Sequence, residues 1–190
     1  MPPAPLDADI AGSAIKVANA FEHAHLPYAI GGAIALTMHG FVRATRDVDI
    51  NVFFKPAELP AALEALVKAG IRFDVTTALN EANTEGWFSG WDGGVRIDVF
   101  VPSIEFAWEA FASRIQLSFV GQKLWFLSAE SLCVFKLLFF RTKDLADLEQ
   151  LVLTSESLDR AYVRRTIGIL IGDDDERIRA WDAIVTRFVP

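Results

Sequence analysis

An α/β (α+β) domain, a mixed sheet flanked by helices and followed by a small helical tail, is the fold class that three features of the sequence predict. Through residue 127, short apolar or alternating runs that read as strands are interleaved with stretches of helical periodicity. From residue 128 onward the periodicity is helical throughout. Glycines and prolines punctuate the joins. Together these place a soft boundary near Leu127–Ser128, with residues 1–127 as one domain and 128–190 as a helical region packed on it.

After a Pro-rich start, Ile10, Ala14, Val17, Ala18 and Phe21 recur at helical spacing and give an amphipathic helix to about Ala24. Leu26 to Ile30 reads as a short buried strand running into Gly31-Gly32, followed by a short helix from Ala33 to His39 that Gly40 ends. Asp47 to Phe53 alternates polar and apolar, as a half-buried strand does. Lys55-Pro56 breaks it, and Ala57 to Ala69 is helical with Gly70 as its cap. Ile71 to Thr76 is expected to be a strand and residues 77–94 a loop. Val95 to Val101 alternates again and stops at Pro102. A helix over Ile104 to Ala112 and short strands over Ile115–Val120 and Leu124–Leu127 complete the front part. Ser128 is a good N-cap for an apolar helix to Phe140, and Arg141–Leu153, Leu158–Ile171 and Asp173–Phe188 read as three more helices.

Composition bounds the function. The chain of 190 residues is apolar enough to bury a sizeable core, and its fifteen Phe and five Trp make that core, or the interface of a homodimer, unusually aromatic. No apolar run approaches the ~20 residues of a membrane span, no basic-then-apolar leader is visible, and the single Cys133 excludes an internal disulfide. These point to a soluble cytoplasmic protein with no membrane partner. A net charge of −7 disfavours avid, sequence-independent nucleic-acid binding, which rests on Lys and Arg neutralising phosphates.

The chemistry-bearing residues lie in the front part. Alternation puts Asp47, Asp49 and Asn51 on one face of their strand and Val48, Ile50 and Val52 on the other. Neighbouring carboxylates repel unless a cation sits between them, and that pairing suits Mg²⁺, a hard ion held by carboxylates and substrate phosphates. An isolated Asp-x-Asp is more often the solvated face of an edge strand. Gly31-Gly32, between a strand and a helix, lets the backbone approach a ligand and offers helix N–H groups to phosphate oxygens; the same pair also makes an ordinary tight turn. Neither a Walker loop nor Gly-x-Gly-x-x-Gly is present. Asp98 adds a third carboxylate from a second strand, able to ligate metal or accept a proton from a hydroxyl. His23, His25 and His39 have no ligand-spaced partners and read as surface or packing residues.

In order, Gly31-Gly32, a short helix, a basic loop with Arg43 and Arg46, Asp47-Val48-Asp49, and later Asp98 resemble the signature of the DNA polymerase β-like nucleotidyltransferase superfamily. The stretch from Tyr28 to Ile50 is most similar to the small bacterial branch related to AbiEii-type toxins. Lys136 to Leu148 and Leu158 onward are similar to that branch's helical motif and tail. The resemblance implies a nucleotidyltransferase-type sheet and a metal-dependent enzyme moving an NMP from an NTP to a hydroxyl acceptor. That acceptor is tRNA, a protein or a small molecule, in a setting that includes toxin–antitoxin pairs. By the resemblance, Asp47, Asp49 and Asp98 ligate two Mg²⁺ ions, and Asp98 also activates the acceptor. Gly31 and Gly32 hold the triphosphate through backbone N–H groups, Arg43 and Arg46 clamp phosphates, and Lys136 neutralises the β/γ-phosphates. Lys136 reads equally as a lysine snorkelling from an apolar helix, and Lys143-Asp144-x-x-Asp147 as an exposed helix start or as a segment that orients Lys136 or Arg141. A non-catalytic nucleotide- or partner-binding member of the same fold is the alternative. The family's frequent Ser after the first glycine is Gly32 here.

Overall fold

The computed structural model describes residues 8–188; the Pro-rich start lies outside them. The backbone divides into two compact units. One comprises the chain up to Ala35 with Val42–Leu127, the other Leu36–Phe41 with the chain from Ser128 on.

The first unit is organised by one sheet. Helix α1 (Ala8–His23) leads into strand β1 (Tyr28–Ile30), and α2 begins at Gly32 and runs to Met38. Strand β2 (Asp47–Val52) follows, then a single 3-10 turn at Pro56–Glu58 and helix α3 (Leu59–Lys68). Gly70, past the end of α3, has φ +85°, the left-handed conformation of a helix cap. Helix α4 (Val75–Thr84), strands β3 (Trp87–Asp92) and β4 (Val95–Phe100), helix α5 (Phe106–Ser113), and strands β5 (Ile115–Phe119) and β6 (Gln122–Phe126) complete it. The six strands lie in the order β3-β4-β2-β1-β6-β5. The pairs β2/β4 and β1/β6 are parallel and the rest antiparallel, so the sheet is mixed.

Alternation along β2 sorts its side chains. Val48, Ile50 and Val52 are fully buried beside Ile97 and Val99, their register partners or neighbours on β4. Against them α1 lays Ala14, Val17 and Phe21, none of which retains any exposure. Burying such side chains contributes roughly 1.5–3 kcal/mol each, which fixes the register of β2 and so the face its carboxylates occupy.

Residues 71–94 depart from expectation. Instead of a strand over Ile71–Thr76, only an isolated bridge between Arg72 and Trp91 forms, and the chain turns helical at Val75. Asp74 is the reason: its carboxylate accepts a hydrogen bond of 2.7 Å from the Thr77 N–H, a cap that outweighs the β-branched Val75-Thr76-Thr77. The expected loop over 77–94 is the rest of α4 and strand β3, joined to β4 by the two-residue hairpin Gly93-Gly94.

The second unit is helical. Ser128 caps α6 (Ala129–Phe139) by accepting from Ser131 N–H at 3.1 Å, and Phe140, at φ 52°, ends it. Helices α7 (Thr142–Thr154), α8 (Arg160–Ile171) and α9 (Glu176–Phe188) follow. Helix α6 packs on α7, α8 and α9 around Leu132, Leu137, Leu148, Leu151, Val163, Ile167 and Trp181, all buried. Among the described residues no helix is long and apolar enough to cross a membrane.

Candidate active site

Strands β2 and β4 run parallel with Asp49 opposite Asp98 and Asp47 opposite Arg96. Register partners share a face, and adjacent strands lie about 4.8 Å apart. Asp49 and Asp98 are therefore direct neighbours, while Asp47, two residues from Asp49, stands about 6.6 Å further along the same face. Asp98 is 8% exposed; Asp47 and Asp49 are half-buried.

Two of these carboxylates are supported by neighbouring side chains. Thr45 donates its hydroxyl to Asp47 Oδ1. Asp98 Oδ1 accepts the Ser89 hydroxyl at 2.7 Å and pairs with Arg96 Nε at 2.9 Å. Arg96 Nη2 in turn donates to Ser89 Oγ at 2.9 Å, and its guanidinium carbon lies 5.7 Å from the centre of the Trp87 ring. Trp87 stacks on Phe100, with ring centres 6.3 Å apart.

The glycine turn closes on the same carboxylates. Gly31 extends the β1/β2 ladder by donating its N–H to the Asp49 carbonyl at 2.9 Å. That N–H is thus engaged in the sheet, and Gly31's contribution to the site is the absence of a side chain: a Cβ there would stand 2.6 Å from Asn51 Nδ2. Gly32 has φ +55°, and a Cβ on it would meet Asp49 Oδ2 at 1.8 Å. A serine at 32 therefore cannot coexist with this placement of Asp49, which accounts physically for the second glycine.

Arg43 is half-buried and Arg46 exposed, both in the loop leading into β2. Lys136 belongs to the helical unit. It is 6% exposed, with Nζ 2.6 Å from Asp147 Oδ2 and 3.6 Å from Asp144 Oδ1. Asp144 also takes Arg141 Nε at 2.7 Å. The Lys143-Asp144-x-x-Asp147 segment is therefore more than an exposed helix start: Lys143 is exposed, but Asp144 and Asp147 are buried and face Lys136 and Arg141. Helical spacing already put the two acids on one face. Its apolar neighbours made that face the inner one, where a buried charge needs a partner. Burial alone would raise the Asp144 carboxyl, but hydrogen bonds from Arg141 and the charge of Lys136 hold it below its ordinary value.

Ser89, Trp87, Arg96 and Thr45 were not singled out by sequence reasoning. The alternation Trp87-Phe88-Ser89 was available as a signal, hidden by reading 77–94 as a loop.

Among the described residues no three His, Cys, Asp or Glu are grouped as a ready-made metal site. The donor set nonetheless fits Mg²⁺, which takes one or two carboxylates and completes its shell with substrate phosphates and water. Asp49 and Asp98, opposed across a ladder, supply that pair of hard oxygen donors.

Known proteins bear on this arrangement. Residues 15–182 match the family described as nucleotidyltransferase of unknown function (DUF6036), and the chain belongs to that family. Among solved structures, the antibiotic-resistance factor ANT(2'')-Ia is similar with a TM-score of 0.56 at 18% identity, covering 96% of this chain and 95% of its own. The lincosamide antibiotic adenylyltransferase LnuA, solved with lincomycin bound, is similar with a TM-score of 0.51 at 14% identity, covering 78% of this chain and 98% of its own. At these identities the likeness establishes a shared nucleotidyltransferase-type fold. No curated protein matches the chain.

Proposed function

Starting from its membership of this nucleotidyltransferase family, we propose that the chain is a Mg²⁺-dependent enzyme. It moves a nucleoside monophosphate from an NTP to a hydroxyl on an acceptor molecule. The observation that carries the reading is the register of Asp49 with Asp98 on one sheet face, beside a glycine turn that admits nothing larger than hydrogen. Magnesium, two ions in the reading the resemblance implies, supplies charge neutralisation of the entering and leaving oxygens.

In this reading Asp47, Asp49 and Asp98 would hold the ions beside the triphosphate. Gly32 contributes a backbone N–H with no partner among the described residues, and Gly31 the close approach. Arg43 and Arg46 reach phosphate oxygens from the loop before β2, a task suited to the guanidinium fork. The acceptor oxygen attacks the α-phosphorus, the bond to the β-phosphate oxygen breaks, and pyrophosphate leaves. The acceptor's proton passes to Asp98 through Oδ2, since Oδ1 already carries Ser89 and Arg96. Lys136 we assign first to its buried pairing with Asp144 and Asp147.

Of the acceptors the AbiEii-type resemblance implies, we favour a small hydroxylated molecule over tRNA or a protein partner in a toxin–antitoxin pair. A chain of net charge −7 has little to offer a polyanion. It also spans nearly the full length of ANT(2'')-Ia, solved elsewhere with adenylyl-2''-tobramycin. The test is incubation with α-labelled NTPs, Mg²⁺ and a panel of aminoglycosides, lincosamides, tRNA and protein. Label on a small molecule, lost in Asp98→Asn, supports the reading. No label on any acceptor, together with no nucleotide binding, overturns it.

A further inference from the structure

Asp98 is held through one oxygen by two side chains. Ser89 at 2.7 Å and Arg96 at 2.9 Å both fall on Oδ1, and among the described residues nothing bonds Oδ2. Arg96 is itself fixed. It stands opposite Asp47 in the ladder, yet its guanidinium reaches past Ser89, with Nη2 at 2.9 Å and Nε at 3.3 Å, to the face of Trp87. Trp87 is braced by Phe100. Asp98, Arg96, Ser89, Trp87 and Phe100 all occupy β3 and β4, the hairpin closed by Gly93-Gly94.

We propose that Arg96, anchored by Ser89 and Trp87, is a positioning residue that fixes the Asp98 carboxylate so that only Oδ2 is offered to the metal and the acceptor hydroxyl. The inference rests on the reading of Asp98 as the acceptor-side carboxylate. A carboxylate with one oxygen doubly engaged cannot rotate to chelate with both. It binds a cation through one oxygen and keeps its plane while the acceptor enters, and such fixing of a ligand by its outer partners is a general source of site affinity. A lysine in place of Arg96 would keep the charge but could not reach Asp98, Ser89 and the Trp87 face together.

The experiment is calorimetric titration of Mn²⁺, standing in for Mg²⁺, into the protein with a non-hydrolysable ATP analogue, alongside thermal unfolding. We expect Arg96→Ala to weaken Mn²⁺ binding by about 10- to 100-fold, with Arg96→Lys recovering part of the loss. Asp98→Asn should weaken it at least as much, and Arg96→Ala on that background should add almost nothing, since the two act as one unit. An affinity in Arg96→Ala that stays within about twofold of wild type, or tightens, overturns the inference. If Asp98→Asn is still impaired in that case, the reading of Asp98 survives; if it too binds as wild type, that reading falls and takes the inference with it. Should Arg96→Ala fail to fold, Ser89→Ala removes the other donor to Oδ1 and is judged by the same criteria.

Discussion

Replacing Gly32 by alanine strikes the point where the backbone turn and the carboxylate pair meet. Two costs follow from the geometry. At φ +55° an L-residue sits in the left-handed region, which costs roughly 1–2 kcal/mol relative to its relaxed backbone. The new methyl would also start 1.8 Å from Asp49 Oδ2, whereas ordinary contact begins near 3.4 Å, so the carboxylate must retreat by about 1.6 Å. For a protein of this size the backbone term corresponds to a fall in Tm of about 2–8 °C. Moving Asp49 should weaken Mg²⁺·ATP binding by about 10- to 100-fold, the range for losing the support of a metal ligand. Gly12→Ala is the matched control. Gly12 lies in α1 with nothing within 4 Å of a new Cβ, so the helix should gain roughly 0.5–1 kcal/mol and the site should be unaffected. Differential scanning calorimetry and nucleotide titration of both variants decide the matter. A Gly32→Ala protein with wild-type Tm and wild-type Mg²⁺·ATP affinity would refute the reasoning.

Elsewhere the charges and the thiol give three further tests. Lys136→Met removes the cation that stands 2.6 Å from buried Asp147 and 3.6 Å from buried Asp144, and urea denaturation should show a loss of about 3–5 kcal/mol. Adding Asp147→Leu to that variant should return much of it. Asp175, bonded by the side chain and N–H of Arg177, has its carboxyl lowered from 3.8 to about 2. A depressed carboxyl contributes stability that is full above the unfolded value and lost as pH falls through the folded one. The acid limb between about pH 4 and pH 2 should therefore flatten in Arg177→Ala, read by circular dichroism against pH. Burial pushes the Cys133 thiol well above its ordinary value, and the side chain has no exposure. A thiol reagent at neutral pH should react with it only after the chain unfolds, and rapid labelling of the native protein would contradict this packing.

Much of this site can be read from the chain because strand alternation is a strict period. Once Asp47 to Val52 is a strand with Val48, Ile50 and Val52 inward, Asp47 and Asp49 must share the outward face. The same rule places Asp98 outward on β4. What alternation within one strand cannot give is register between strands, since Asp49 lies opposite Asp98 through a crossover spanning α3, α4 and β3. The misread stretch is equally instructive. Val75-Thr76-Thr77 has strand propensity, and the Asp74 cap decided against it through one hydrogen bond to Thr77. That reading left Trp87, Ser89 and their contact with Arg96 out of view. The buried Asp144 and Asp147 were obscured by their polarity, since acids are expected outside until a buried lysine is known to face them.

The central claim is that Asp47 and Asp49, beside Asp98, form a metal-dependent nucleotide site. Titration of ATP into the protein with and without Mg²⁺, repeated in Asp47→Ala and Asp49→Ala, tests it most directly. The account predicts binding that requires Mg²⁺ in the wild type and vanishes in both variants. Binding that ignores Mg²⁺ and persists unchanged in the variants would contradict it, and would mark the chain as a non-catalytic binding member of its fold.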